Sequence, residues 1–594
     1  MSGGIAEDTV QAGYDPALFR RLVRYLAPYR LLVAAALGLL AIEAGLALVG
    51  PELTKRAIDV AIPAGDGGLL LTLAGVFVAA LALSFGADFG GAYLTTLIGQ
   101  RVMNDLRRQI FGHLQRLSIP YFDRNPVGRL VTRVTSDVET LNDLLSSGFV
   151  TVIGDVMTLA AIMILMLALD WQLALVTFAV MPVVLIVAIV FRRHVRQAFR
   201  DIRTRLARLN AFLTEHLTGM RVVQLFGRER DTWERFDRAN ADHLEAHLRS
   251  ITIYAVFLPI MEVLTSVAVA LLIWYGGLRS LGGSLTVGVL AAFIQLTRRF
   301  FQPLQDLSEK FNLLQSAMAS SEHLFTLLDQ SITVPAPASP KRLSRPIRGE
   351  VRFENVSFRY SADGPWVLRN VSFIASPGRT LALVGYTGAG KTTIISLLLR
   401  FYDVTEGRVT VDGVDVRDLD PGDLRRLIGF VQQDLFLFSG DVLKNLVLDT
   451  GVTDERAREA ARRVGAERFI ERLPAGYGHV LGERGRSLSV GERQLLSFAR
   501  ALALDPAILI LDEATSSVDA ESEEMIQRAM AELMAGRTSI VVAHRLSTIL
   551  HADEILVLHH GEVKERGSHR ELLAAGGLYE RLYRLQIASA AGAA

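Results

Sequence analysis

Between residues 31 and 305 the chain carries six stretches long and apolar enough to cross a lipid bilayer, at about 31–51, 69–97, 144–169, 171–191, 252–276 and 284–305. A spanning helix needs roughly 20 mostly apolar residues. In hydrocarbon each backbone N–H and C=O must be satisfied within its own segment, so such stretches are expected as helices. A buried soluble core mimics one or two of these runs, not six in one half of a chain. The expected fold class is therefore multidomain, opening with an all-α, six-helix transmembrane domain.

Arginines in the flanks set the expected orientation. Arg20, Arg21, Arg24 and Arg30 precede the first stretch; Arg101, Arg107, Arg108 and Arg116 follow the second; Arg192, Arg193, Arg196 and Arg200 follow the fourth. The opposite side carries only Lys55, Arg56 and Arg279 near its short loops. Both termini are placed in the cytosol, with the chain multi-pass in the cell inner (cytoplasmic) membrane. No short apolar core with a small-residue cleavage site precedes the first stretch, so no cleavable signal peptide is expected.

Two connections on the cytosolic side exceed a turn. No proline falls between Pro182 and Pro259, so these helices are expected to run well past the membrane and turn back near Gly219–Gly227. The first connection turns at Ile119–Pro126, where Pro120 and Pro126 break the helix. Both turns are candidates to touch a second domain; the plainer alternative is a solvated hairpin. Residues 331–349 are Pro-rich without apolar periodicity and read as an extended linker. The domains are thus 1–330 (six spans with an N-terminal cytosolic elbow), 331–349, and 350–594, whose alternation of apolar and charged residues is that of an α/β domain. A net charge of +1 gives no basic field for nucleic acid, and the absence of cysteine excludes disulfides and thiol-ligated zinc.

The second domain contains Gly385-Tyr386-Thr387-Gly388-Ala389-Gly390-Lys391-Thr392, a complete G-x-x-x-x-G-K-T loop. It follows the apolar run 380–384 and precedes the helix-forming run that starts at Thr393. Successive N–H groups of such a loop, with the N-terminus of the next helix, form a concave anion site. Lys391 reaches the β/γ-phosphates and the Thr392 hydroxyl ligates Mg²⁺. A nucleoside triphosphate with Mg²⁺ is the expected ligand. Downstream, the strand-like run 507–511 ends in Asp512 and Glu513. A carboxylate at such a strand end beside a P-loop holds Mg²⁺ directly or through water, and the adjacent Glu513 is placed to polarise an attacking water. Away from a P-loop the same pair would be a helix N-terminal charge pair.

Between these motifs stands Leu488-Ser489-Val490-Gly491-Glu492-Arg493-Gln494, which resembles the signature of ATP-binding cassette (ABC) transporters. The resemblance covers nearly the whole chain and points to an exporter-type half-transporter, similar to multidrug and lipid exporters, with a P-loop ABC domain. It implies that Tyr360 stacks on adenine and that Gln433 approaches Mg²⁺ and the attacking water. It further implies that Glu483-Arg484-Gly485 meets the membrane helices, that Ser516–Asp519 is the D-loop, and that His544 contacts the γ-phosphate. The phosphate-binding set is Gly385 to Thr393; catalysis falls to Glu513, His544 and Gln433; metal binding falls to Thr392, Gln433 and Asp512. Phe122-Asp123-Arg124 through Asp137 resembles the first intracellular loop of ABC exporters.

In that family the signature of one nucleotide domain closes on the P-loop of another, so Ser489 and Gly491 would contact the γ-phosphate held by a second half-transporter. Here the signature departs from Leu-Ser-Gly-Gly-Gln at Val490 and Glu492. Glu492 adds a like charge near the triphosphate, and if turned inward it weakens that site. Heterodimeric exporters commonly pair one altered signature with an intact catalytic glutamate, so a heterodimer is the preferred expectation and a homodimer its rival. Glu43, Asp88, Asp155 and Glu262 lie within the spans, with Arg298 and Arg299 in the sixth. Either they line an acidic cavity for amphipathic or cationic cargo, or some of them pair with those arginines or lie near span ends. Phe293, Phe300 and Phe301 suit hydrophobic cargo or plain packing. The expected function is ATP-driven export or flipping of lipophilic drugs, lipids or peptides, with membrane lipid as neighbour. The alternative is an ATP-gated channel or regulatory subunit.

Overall fold

A computed structural model describes residues 15–144, 146, 150–512, 520–543 and 549–591. Two compact units emerge: residues 15–115 with 127–330, and residues 116–126 with 331–591.

The first unit is helical. Its main elements are α1 (Arg30–Leu46), α2 (Gly67–Leu114), α3 (Val150–Leu169), α4 (Trp171–Phe178), α5 (Met181–Thr218), α6 (Glu229–Leu281) and α7 (Val287–Leu328). At 1.5 Å per residue α2, α5 and α6 far exceed a hydrocarbon core of about 30 Å, so the expected extensions beyond the membrane are present. The turn between α5 and α6 falls where expected. Gly219 caps α5, and Gly227, at φ +59°, closes the connection before Glu229.

Five helical segments among the described residues are long and apolar enough to cross a membrane: Pro16–Ala61, Gly67–Leu114, Val152–Leu169, Trp171–Thr218 and Glu229–Leu281. The sixth expected stretch lies in α7, which is helical. Large apolar side chains such as Leu71, Phe85, Phe89, Ile186 and Val263 are exposed on the outer faces. That is the inverse of a water-soluble surface and the arrangement hydrocarbon requires. Inside, Phe293, Phe300 and Phe301 are buried in the helix packing with Phe191 and Phe257, which favours the packing role for those aromatics. Arg299 donates to the Ala47 carbonyl at 2.5 Å.

The second unit is built on two main sheets. The strands are β1 (Val351–Phe358), β2 (Leu368–Ala375), β3 (Thr380–Val384), β4 (Glu406–Val411), β5 (Val414–Asp415), β6 (Ile428–Val431), β7 (Gly440–Asp441), β8 (Val480–Leu481), β9 (Ile508–Asp512), β10 (Thr538–Val542), β11 (Glu554–His559) and β12 (Glu562–Gly567). An antiparallel sheet runs β2-β1-β4-β5; a six-stranded sheet runs β12-β11-β3-β10-β9-β6, parallel except at the β11–β12 edge. The parallel strands read as continuous apolar runs because both faces are covered. All five residues of β10 are buried. Helices α8 (Lys391–Leu398), α9 (Val490–Ala503) and α10 (Ala520–Met534) complete the elements that shape the site. In such a sheet ligands bind beyond the carboxyl ends of the strands, and the P-loop, Asp512 and Gln433 all lie there, after β3, at the end of β9 and after β6.

Candidate nucleotide site

The turn from β3 into α8 dictates its own sequence. Gly388 and Gly390 sit at φ +82° and +102°, a region L side chains avoid. A Cβ on Gly385 would meet the Leu558 carbonyl oxygen at 2.3 Å, and one on Gly390 would meet Leu368 at 2.5 Å. Gly390 is the N-cap of α8 and brings no side chain to its amides, so the helix start stays open to an anion. Tyr386, Thr387 and Gly388 are exposed at the rim, Ala389 is buried, and Thr392 is exposed one residue into the helix.

Lys391 is only 7% exposed, and its ammonium donates to the carbonyls of Gly385 and Tyr386 at 2.6 and 3.1 Å. Burial pulls its pKa below the usual lysine value, and the charge of Asp512 opposes that shift. A cation so held is poised to give its hydrogen bonds to a phosphate. Asp512 ends β9, in register with Val542 of β10. The donor set fits Mg²⁺, which takes oxygen ligands: the Thr392 hydroxyl, the Asp512 carboxylate and the Gln433 amide oxygen. Glu513 and His544, with Ser516–Asp519, lie outside the described residues.

Tyr360 is 42% exposed; it packs edge-on against Tyr402, with ring centroids 5.1 Å apart, and shares a hydrogen bond of 3.0 Å with the Thr393 hydroxyl. Its ring is thus tied to the first turn of α8. Sequence reasoning missed Tyr402, whose hydroxyl donates to Asp123 of the short helix Ile119–Arg124. Burial first, and that carboxylate second, hold the Tyr402 phenol above its ordinary pKa. Arg124 donates to the Tyr360 carbonyl at 2.8 Å. The segment 116–126, whose expected role is to touch the nucleotide domain, is packed into this unit beside the tyrosine pair.

The signature lies on α9, which separates two clefts. One, of about 40 Å³, is lined by Gln432, Gln433 and Asp512 on one wall and Val490 and Gln494 on the other. The second, of about 190 Å³, is lined by Ser489, Gly491 and Glu492 with Arg468 and Arg472. Lys391 lines neither of them. Glu492 does not stray: the Ser489 hydroxyl accepts the Glu492 N–H at 3.2 Å, and the Glu492 carboxylate accepts the Ser489 N–H at 2.8 Å. This reciprocal capping box was legible as Ser-x-x-Glu and went unread. It places a full negative charge on the helix start where a phosphate would bind, with Arg468 and Arg472 nearby to offset it. The Glu483–Gly485 turn holds Arg484 at φ +55°.

Comparison with known proteins supplies the frame for this geometry. The profile of the ABC transporter transmembrane region matches residues 33–304, and a second ABC transporter profile matches residues 368–516. A probable multidrug resistance ABC transporter ATP-binding/permease protein of Bacillus subtilis (strain 168) is 38% identical over 91% of this chain and 80% of its own. An ATP-dependent lipid A-core flippase of Syntrophus aciditrophicus (strain SB) is 36% identical over 96% of this chain and 94% of its own. A fatty acid ABC transporter ATP-binding/permease protein of Mycobacterium tuberculosis (strain CDC 1551 / Oshkosh) is 40% identical over 87% of this chain and 80% of its own.

Proposed function

Because this chain belongs to the ABC transporter family, as a multi-pass, ATP-hydrolysing exporter, we propose that it works as one half of a dimer that clamps ATP between two nucleotide domains. The carrying observation is the separation within one chain: Ser489 and Gly491 line a cleft that excludes Lys391. A second chain must supply the complementary half to each. Lys391 and the P-loop amides bind the β/γ-phosphates, Tyr360 stacks on the base, and Glu513 and His544 serve the attacking water and the γ-phosphate. Thr392, Asp512 and Gln433 hold Mg²⁺, which when bound neutralises phosphate charge. Lys391, the P-loop amides and His544 stabilise negative charge already in place or developing, which is what phosphoryl transfer demands.

The partner we favour is a different half-transporter. Glu492 pre-occupies the start of α9 and weakens the site this chain offers its partner, whereas Glu513 is retained. The arginine flanks favour an orientation with both termini and the nucleotide domain in the cytosol and six spans, α7 included, in the inner membrane. Glu43, Asp88 and Asp155 come from three helices, and Asp88 and Asp155 each lie within electrostatic reach of Glu43, which supports a cavity for amphipathic or cationic cargo among lipophilic drugs, lipids and peptides.

Three experiments test this. Glu513→Gln is expected to keep ATP binding and lose steady-state hydrolysis by about 10²–10⁴-fold, the range for losing a general base; unchanged turnover excludes Glu513 from that role. The chain purified alone is expected to hydrolyse ATP weakly, and vigorous turnover by a stable homodimer overturns the heterodimer. Uphill cargo movement in sealed vesicles separates pumping from an ATP-gated channel.

A further inference from the structure

The smaller cleft beside α9 contains a group the reaction above does not use. Val490, Gln494 and Phe498 line it at four-residue spacing, one stripe on the face of α9 turned toward β6 and β9. Gln494 is the one polar member of that stripe. It is 5% exposed, and its carbonyl oxygen Oε1 is buried without a hydrogen-bond partner among the described residues. A buried amide oxygen left so is costly, and an apolar residue of equal size would serve packing better. The opposite wall carries Gln433 and Asp512, with Met530 of α10 closing the cleft. At about 40 Å³ the space suits a single water, which needs two to four polar partners. Gln494, Gln433 and Asp512 supply them.

We propose that Gln494 is a positioning residue: through one buried water it ties the Gln433–Asp512 side of this chain's own ATP site to the start of α9. That start carries Ser489 and Gly491, the groups turned toward the partner's nucleotide. The water donates to Gln494 Oε1 and to the Asp512 carboxylate and accepts from the Gln433 amide. When the chain's own ATP draws Gln433 and Asp512 toward the phosphate, the linkage pulls on the second turn of α9 and re-aims its first. One nucleotide site thereby reports its occupancy to the other through a single helix. The inference rests on the proposed assignment of Gln433 and Asp512 to the ATP site.

Hydrogen exchange on the full-length chain carrying Glu513→Gln, with and without ATP and Mg²⁺, tests it. ATP is expected to slow exchange across residues 489–496. With Gln494→Leu added, bound radiolabelled ATP stays as in the parent while that slowing is lost. Met530→Phe, which narrows the cavity from the opposite wall and leaves Gln494 intact, gives the same loss. A full response in both variants overturns the proposal, as does a high-resolution structure with a dry cavity. Loss of ATP binding together with the response in both variants overturns it too, since that marks a purely structural role. Lys391→Ala distinguishes the premise: if ATP still binds and still protects 489–496 there, the site assignment fails rather than the relay.

Discussion

The starts of α8 and α9 are two answers to one physical problem, a helix N-terminus whose first amides lack partners. At α8 the cap is Gly390, which offers no side chain and leaves the amides and the positive dipole end open. At α9 the cap is Ser489, whose hydroxyl is taken by Glu492 N–H, while the Glu492 carboxylate returns to the Ser489 amide. The first is kept ready for an external anion; the second carries its own. A glutamine at 492 would close the same box without charge, so the difference between a receptive signature and a self-satisfied one is a single carboxylate.

The strongest way to break the comparison is to remove the cation at the open end. Lys391→Ala is expected to lower steady-state hydrolysis by at least about a hundredfold, the scale of losing one donor to developing charge in a dry site; phosphate release measures it. The same lysine sets a pH dependence. Burial depresses its pKa, so in the nucleotide-free protein the charged form opposes folding at neutral pH. That penalty is relieved as pH rises through the depressed value toward the usual 10.5. Thermal stability should therefore rise with pH over that window relative to Lys391→Met, while ATP affinity falls.

Next in size is Glu492→Gln, which sharpens the comparison by making the two helix starts alike in charge. ATP-driven association of the two nucleotide domains is expected to tighten by about tenfold, the weight of one like charge removed at a partly screened distance. The isolated chain should lose about 0.3–1 kcal/mol, because a carboxylate at a helix start is stabilising. Equilibrium ATP titration and denaturant melts read these opposite signs separately.

The smallest effect belongs to Tyr402→Phe. Losing the hydroxyl that donates to Asp123 is expected to cost about 1 kcal/mol or less of stability. Basal hydrolysis should hold while stimulation by cargo declines, since the segment 116–126 is then held to the tyrosine pair only by packing and Arg124. Equal stimulation in both proteins would remove Tyr402 from the coupling.

How much of this was legible follows the distance in sequence between the groups involved. The P-loop was readable because Gly388, Gly390 and Lys391 act within one turn of chain. The helices were readable because each apolar stretch satisfies its backbone alone. The Ser489–Glu492 box was equally local and was passed over because the motif was read for phosphate contact alone.

Sequence by itself therefore determined the two domains, the apolar helices, the triphosphate loop and the charge change at 492, each written in neighbouring residues. Tertiary structure alone decided the rest. Tyr402 meets Asp123 across 279 positions, the signature lines two clefts that the P-loop lysine does not, and Gln494 faces Gln433 and Asp512 across a space that only packed strands and helices enclose. Such pairings depend on which surfaces the folded sheet and helices bring together, and no periodicity along the chain encodes that.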